Sequence, residues 1–336
     1  MSLPTALPAP RTPDPMTAPT LRWGVVGTGW IADRFTESLR RHSSQRVVAV
    51  GSRTPASARA FANRHQIATA YGSYEALVAD PEVDVVYVAT PHNAHLPAAQ
   101  LSLGAGKHTV VEKPLGATAA EARQIAAAAQ TAGVFCMEAM WTAFLPKFDI
   151  LRQLLASGAL GEPLSVVADF GEWFAPDHRI MSPELAGGPL LDLGTYLVTF
   201  ALDVLGPTET VSAHGQRVPS GVLGQVGALL THAGGNQSVL HTTLRSNTPT
   251  TAVVAGSEAT LVIDGPFYQP GGFTLTSLGG ARLRYEEEPV AHAALHFQAA
   301  DVARRITAGE TGSPLRPLAD SIATLEVLDA IDAACR

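Results

Sequence analysis

The chain of 336 residues is 46 % hydrophobic and 16 % charged, with a formal net charge of −7. It is too apolar for a disordered chain and long enough for roughly two domains of ~100–200 residues each. The acidic balance, with no dense Lys/Arg run, argues against a nucleic-acid binder, and no apolar run approaches the ~20 residues of a membrane span.

Residues 1–20 are rich in proline (Pro4, Pro8, Pro10, Pro13, Pro15, Pro19) and read as a disordered arm. They lack the basic start and apolar centre of a signal peptide, and Met16 offers an alternative start. Residues 22–26 form a short apolar run into a glycine, the mark of a buried strand. Residues 31–41 read as a helix and 47–50 as a second strand. Residues 55–64 read as a helix with Thr54 as N-cap and Pro55 in its first turn. A strand over 83–89, a helix over 96–103, a strand over 109–111, an alanine-rich helix over 117–132 and a strand over 134–137 follow. Apolar strands alternating with helices indicate a parallel sheet covered on both faces. Residues 21–140 are therefore predicted as an α/β Rossmann domain, a doubly wound parallel sheet.

The pattern changes after Trp141. Residues 148–157 and 190–205 read as helices. Short strands then follow at 210–218, 225–231, 238–244, 251–255 and 260–263. Ala233-Gly234-Gly235-Asn236 is a hairpin connection between two of them. Glu286-Glu287-Glu288 reads as a solvated strand end, and helices over 292–305 and 318–334 close the chain. Residues 141–336 are predicted as an α+β domain with a mostly antiparallel sheet, for substrate binding and oligomerisation. Its last helix is free to return to the first domain. Val239, Leu240 and Leu244 lie among polar residues and leave room for a homodimer or homotetramer through the sheet's outer face. Cys136 and Cys335 form neither a disulfide framework nor a metal pattern and suit a reducing cytoplasm.

Chemistry concentrates at four places. Gly27-Thr28-Gly29-Trp30-Ile31-Ala32 fits GxGxxA at a strand–helix turn. The first glycine permits the turn, the second lets backbone approach a pyrophosphate, and Ala32 lets the helix pack closely. The second strand ends in Gly51-Ser52-Arg53-Thr54, with no acid for a ribose hydroxyl. Ser52 and Arg53 suit a 2′-phosphate instead, which favours NADP over NAD. Glu112-Lys113-Pro114 follows a buried strand, where a lysine faces the ligand crevice. In Gly187-Gly188-Pro189-Leu190-Leu191-Asp192-Leu193-Gly194-Thr195-Tyr196, a helix puts Asp192 and Tyr196 on one face. Tyrosine is a proton donor and acceptor when a cation depresses its pKa. His92 and His95, three apart without a Cys or acid partner, make a poor metal site. Trp141 and Trp173 are candidates to wall a substrate pocket, and His178-Arg179 to contact substrate.

Taken in order, Gly27 to Ala32, Ala89-Thr90-Pro91-His92-Asn93-Ala94-His95, Glu112-Lys113-Pro114 and Gly187 to Tyr196 resemble the Gfo/Idh/MocA oxidoreductase family. Within it, Met137-Glu138-Ala139-Met140-Trp141-Thr142 and Tyr196 are similar to the dimeric dihydrodiol dehydrogenase and D-xylose dehydrogenase branch. The resemblance implies that Lys113 orients the reacting oxygen, Tyr196 exchanges the proton and Asp192 assists by a hydrogen bond. It implies a cis Lys113-Pro114 bond, and Thr90, Pro91, His92, His95 and Glu112 beside the nicotinamide. Two positions depart from the family's pattern: Ala143 replaces a common arginine, and Pro189 a common alanine. The expected function is NADP-dependent hydride transfer to or from a sugar, dihydrodiol or related substrate. The alternatives are a nucleotide-sugar ketoreductase and a non-catalytic NADP-binding sensor.

Overall fold

The computed structural model describes residues 4–288, 290 and 292–335; the first three residues of the expected arm lie outside these. From the N-terminus run β1 (Arg22–Val26), α1 (Trp30–His42), β2 (Arg46–Gly51), α2 (Pro55–His65), β3 (Thr69–Tyr71), α3 (Tyr74–Val78) and β4 (Val85–Val88). Then come α4 (His95–Gly104), β5 (His108–Glu112), α5 (Ala119–Ala132) and β6 (Cys136–Ala139). The strands form a six-stranded sheet in the order β3-β2-β1-β4-β5-β6, parallel throughout. The apolar runs read as strands are interior: every residue of β4, and Trp23 to Val26 of β1, are buried. Thr54, Ser73 and Thr118 cap their helices by accepting from backbone N–H groups three residues on.

Next are α6 (Pro146–Ala156), β7 (Pro163–Gly171) and a π-helical turn over Leu190–Gly194 that runs into α7 (Thr195–Leu205). They lead to β8 (Thr208–Arg217), β9 (Leu223–His232), β10 (Gln237–Thr243), β11 (Ala252–Gly256), β12 (Ala259–Ile263), β13 (Phe273–Ser277) and β14 (Arg282–Tyr285). The eight-stranded sheet has the order β14-β13-β12-β11-β7-β10-β9-β8. It is antiparallel except between β7 and β10. Helices α8 (His296–Thr307) and α9 (Leu318–Ala334) end the chain.

The chain divides into two units, each built from separated segments. One comprises Pro13–Phe144 and Val290–Ile322; the other comprises Met1–Thr12, Leu145–Pro289 and Ala323–Arg336. The expected boundaries at residues 20 and 140 are corrected in two respects. First, α8 belongs with the Rossmann sheet. Ser38 Oγ of α1 lies 3.1 Å from His296 Nδ1, and Ala299, Ala300 and Ala303 are buried. Second, the proline-rich segment is folded onto both units. In the Rossmann unit Ala18 packs on Ala300 and Ala303, Arg304 donates to Asp14 O at 2.8 Å, and Gln45 donates to Pro19 O at 2.7 Å. In the second unit Arg11 pairs with Asp149 of α6 at 3.0 Å, and Gln153 donates to Ala9 O at 2.9 Å. Proline composition suggested disorder, yet its fixed φ also lowers the entropy lost when a segment docks.

Among the described residues one stretch meets the length and composition of a membrane span, where none was expected: Pro183–Leu205, with a mean hydropathy of 1.4. Of that apolar window 67 % is buried inside the protein. Leu190, Leu197 and Val198 close with Val226, Ala228 and Leu240 on the sheet's inner face.

Candidate active site

In the Rossmann unit β1 lies between β2 and β4, where the strand order reverses, and the crevice at such a switch point takes the ligand. Gly27 follows β1 with φ +103°, and a Cβ there would stand 2.5 Å from the Ala89 carbonyl oxygen. The position is closed to any other residue by conformation and by space. Gly29, the N-cap of α1, is different: a Cβ there would meet nothing within 4 Å. No side chain caps α1, so its first N–H groups open onto that space, as a pyrophosphate requires. Ala32 is fully buried and lets α1 lie close to the sheet. Thr28 and Ile31 are half-buried, and Trp30 is exposed beneath the Arg34 guanidinium, 5.8 Å from its ring centroid. Thr90, at the end of β4, is buried, and its Oγ1 has no hydrogen-bond partner. An orphaned hydroxyl beside an open helix N-terminus fits a bound dinucleotide.

At the end of β2, Ser52 is buried and Arg53 is exposed. Arg53 is close enough to Tyr74 for its charge to offset part of the upward shift that burial imposes on that phenol.

Lys113 stands on a turn whose backbone is held by buried side chains. Lys113 N donates to Glu112 Oε2 at 3.1 Å, and Leu115 N donates to Glu138 Oε1 at 2.9 Å. The Lys113-Pro114 bond is cis. His95 is fully buried, with Nδ1 2.8 Å from Pro114 O and Nε2 3.0 Å from Thr90 O. Burial pushes its pKa down to about 4, against the pull of those carbonyls. A neutral ring has one N–H and satisfies one of the two. The Glu112 carboxyl is also interior: it accepts from the Tyr87 hydroxyl, and burial pushes its pKa up to about 7. His95 and Glu112 therefore brace the turn. Pro91 is half-buried and His92 buried, its ring edge-on to His95 at 5.6 Å.

The second unit holds the other set. Gly187 and Gly188 turn the chain tightly: a Cβ on Gly187 would meet Ile180 O at 2.3 Å, and Gly188 has φ +117°. Asp192 lies in the π-turn and Tyr196 in the first turn of α7. The expected single α-helix is thus widened by one residue, a local irregularity common at functional sites. Arg179 Nη2 donates to Asp192 Oδ2 at 3.3 Å, so this arginine serves the aspartate. The Tyr196 ring packs 4.7 Å from Tyr268 and 5.9 Å from Phe170, and Gln269 Nε2 donates to the Tyr268 hydroxyl at 3.0 Å. Glu172 is pushed up by burial and then by the Asp192 charge. The sequence pointed to neither Tyr268 nor Glu172, which lie on unremarkable stretches beyond strand ends. Of the two candidate tryptophans, Trp141 is buried and Trp173 exposed.

A parallel sheet with this turn at its switch point defines a dinucleotide-binding Rossmann fold. The chain belongs to the GFO/IDH/MocA family. The model described as oxidoreductase family, NAD-binding Rossmann fold, matches residues 21–140, and that of the GFO/IDH/MocA C-terminal domain matches residues 148–262. Trans-1,2-dihydrobenzene-1,2-diol dehydrogenase of Bos taurus is 36 % identical over 93 % of this chain and 96 % of its own. The Homo sapiens protein of that name is 35 % identical over the same shares. Among solved structures, a 3-ketoreductase from Actinomadura kijaniata with NADP and TDP-benzene has a TM-score of 0.84 and 26 % identity. That match covers 95 % of this chain and 98 % of that one. Levoglucosan dehydrogenase with NADH shares the fold, with a TM-score of 0.86 at 19 % identity, covering 94 % and 97 %.

Proposed function

We propose that the protein is an NADP-dependent dehydrogenase or reductase acting on a sugar, a dihydrodiol or a related hydroxyl or carbonyl substrate. The observation that carries the cofactor choice is the end of β2, where buried Ser52 and exposed Arg53 stand and no carboxylate does. Arg53 pairs with a 2′-phosphate and Ser52 donates to it. When bound, the nicotinamide would supply the hydride in reduction and accept it in oxidation. The N–H groups at the start of α1 hold the pyrophosphate, and the Thr90 hydroxyl gains a partner. Lys113 orients the reacting oxygen. Tyr196 gives that oxygen a proton in reduction and takes it in oxidation. Asp192, anchored by Arg179, fixes the tyrosine's surroundings.

The reading is tested on a panel of sugars, trans-dihydrodiols and their ketones. Tyr196→Phe should lower kcat by about 10²–10⁴ while KM moves little. Arg53→Ala should raise KM for NADP by roughly 10–100-fold and leave NAD kinetics unchanged. Equal use of NAD and NADP by the parent enzyme would sink the cofactor assignment. A second reading, a nucleotide-sugar ketoreductase, is favoured by the match to the Actinomadura enzyme, and a panel containing a TDP-keto-sugar decides it. Tight NADP binding without turnover on any compound would point to a sensor.

A homodimer through the outer face of the second sheet belongs to this proposal. Val239 is 48 % exposed there, whereas Leu240 and Leu244 are buried on the inner side and drop out of the expected patch. The free thiols Cys136 and Cys335 support a cytoplasmic site of action.

A further inference from the structure

Glu138, at the end of β6, is a buried charge that the proposed chemistry does not use. It is 1 % exposed, and its partner Arg316, on the segment leading into α9, is 2 % exposed. Two charges taken out of water together need further hydrogen bonds to persist. Glu138 has them. Oε2 accepts from Arg316 Nε at 2.7 Å and from Ser321 Oγ at 2.8 Å, and Oε1 accepts from Leu115 N at 2.9 Å.

Leu115 lies two residues after Lys113, and its side chain is fully buried. Three polar groups of the turn thus meet buried side chains: Lys113 N meets Glu112, Pro114 O meets His95 and Leu115 N meets Glu138. We propose that Glu138 is a positioning residue for the reaction: through Leu115 N it fixes the backbone that sets where the Lys113 ammonium stands. Arg316 and Ser321 hold the carboxylate in that orientation, so residues 316–321 of the closing segment take part in orienting Lys113. The inference rests on the reading of Lys113 as the group that orients the reacting oxygen.

Glutamine tests the charge at constant shape. In Glu138→Gln one end of the side chain becomes a donor and must face either Leu115 N or Arg316, both donors. In the full-length chain this variant should lose kcat about tenfold or more per folded site, while NADPH affinity by fluorescence titration stays within twofold. The deuterium isotope effect on kcat with deuterated cofactor or substrate should rise, because a displaced lysine slows the chemical step. Exchange of the Leu115 amide hydrogen should accelerate. A purely structural role would lower the folded fraction and leave kcat per folded site and the isotope effect where they were. That result, or a folded variant with parental kcat, overturns the inference.

Should Glu138→Gln not fold, Ser321→Ala decides. It removes one donor to Oε2 and keeps the charge. A two- to threefold loss of kcat with faster Leu115 exchange supports the proposal, and unchanged kcat with faster exchange refutes it. A parent enzyme inactive on every compound overturns the oxidoreductase reading and this inference with it. An active parent and an equally active Glu138→Gln overturn the inference alone.

Discussion

Glu112 shows what burial does to one residue. Its carboxyl rises from an ordinary 4.5 to about 7 because it lies fully inside, and the hydrogen bonds from Tyr87 and the Lys113 backbone offset only part of that burial. Between those two values the folded chain binds a proton that the unfolded chain has released, so stability falls as pH climbs from about 4.5 to about 7 and is level beyond. At ~1.4 kcal/mol per pKa unit the effect is of order 3 kcal/mol. Denaturant unfolding of the parent should weaken between pH 5 and pH 8 by about that much more than Glu112→Gln, which has no proton to lose. Parallel profiles would show that the carboxyl is not held protonated. The sequence placed Glu112 and His95 correctly at strand and helix ends but not the direction of their side chains. The groups that turn them inward, Tyr87 for one and the Pro114 and Thr90 carbonyls for the other, carry no local signature. Glu287 makes the same point. It reads as part of a solvated acidic run, yet it accepts from Lys147 N at 3.3 Å and Gly271 N at 3.2 Å, donors that only the fold brings near.

Among the elements, the turn from β1 to α1 separates two uses of glycine. Gly27 sits where L-residues are strained and where the nearest atom to a new Cβ is backbone, which cannot step aside. Gly29 has room. Gly27→Ala should therefore cost about 2–4 kcal/mol of stability from strain and overpacking together, and cofactor binding with it. Gly29→Ala should unfold within roughly 0.5 kcal/mol of the parent, as an exposed substitution does, yet lose tenfold or more in NADPH affinity, since its methyl occupies the space left for phosphate. Thermal melts with and without NADPH separate the two. An unaffected affinity in Gly29→Ala would place the pyrophosphate elsewhere. The Rossmann strands were legible because apolar runs bounded by glycine and caps are local facts. Strand β7, central in the second sheet, was not. Asp169 interrupts its apolar run, and the reason an acid is tolerated there lies about 80 residues on, where Thr250 N and Thr251 N donate to it at 2.9 and 3.1 Å. Strand β3 and helix α3 span three and five residues, too short to show a period.

For the whole molecule, the change from alternating to strand-rich pattern near Trp141 falls close to the division between the units at Phe144 and Leu145. A return to the first unit was expected of the last helix, but it is α8 and the segment up to Ile322 that make it, while α9 from Ala323 on stays with the second unit; an amphipathic helix such as α8 does not declare which sheet it covers. The outer face of the second sheet raises the last question of scale. Pairing sets Leu229 opposite Val239, Val239 beside Val167, Val167 opposite Val253, and Val253 opposite Val262. One apolar row thus crosses five strands, and four of its members are between 38 and 49 % exposed. Leu240 and Leu244 could not contribute, since alternate residues of a strand face opposite sides and these two face in. An apolar row on an open sheet face suits a two-fold contact, in which each side chain meets the same patch on a second copy. The parent should sediment as a dimer at micromolar concentration. Val167→Glu with Val239→Glu sets two carboxylates in neighbouring register at the centre of the row, on both partners at once, and should give a monomer. Neither side chain is needed for the core, so its circular dichroism should match the parent's. A parent that sediments as a monomer, or a doubly charged variant that stays dimeric, removes this face as the interface.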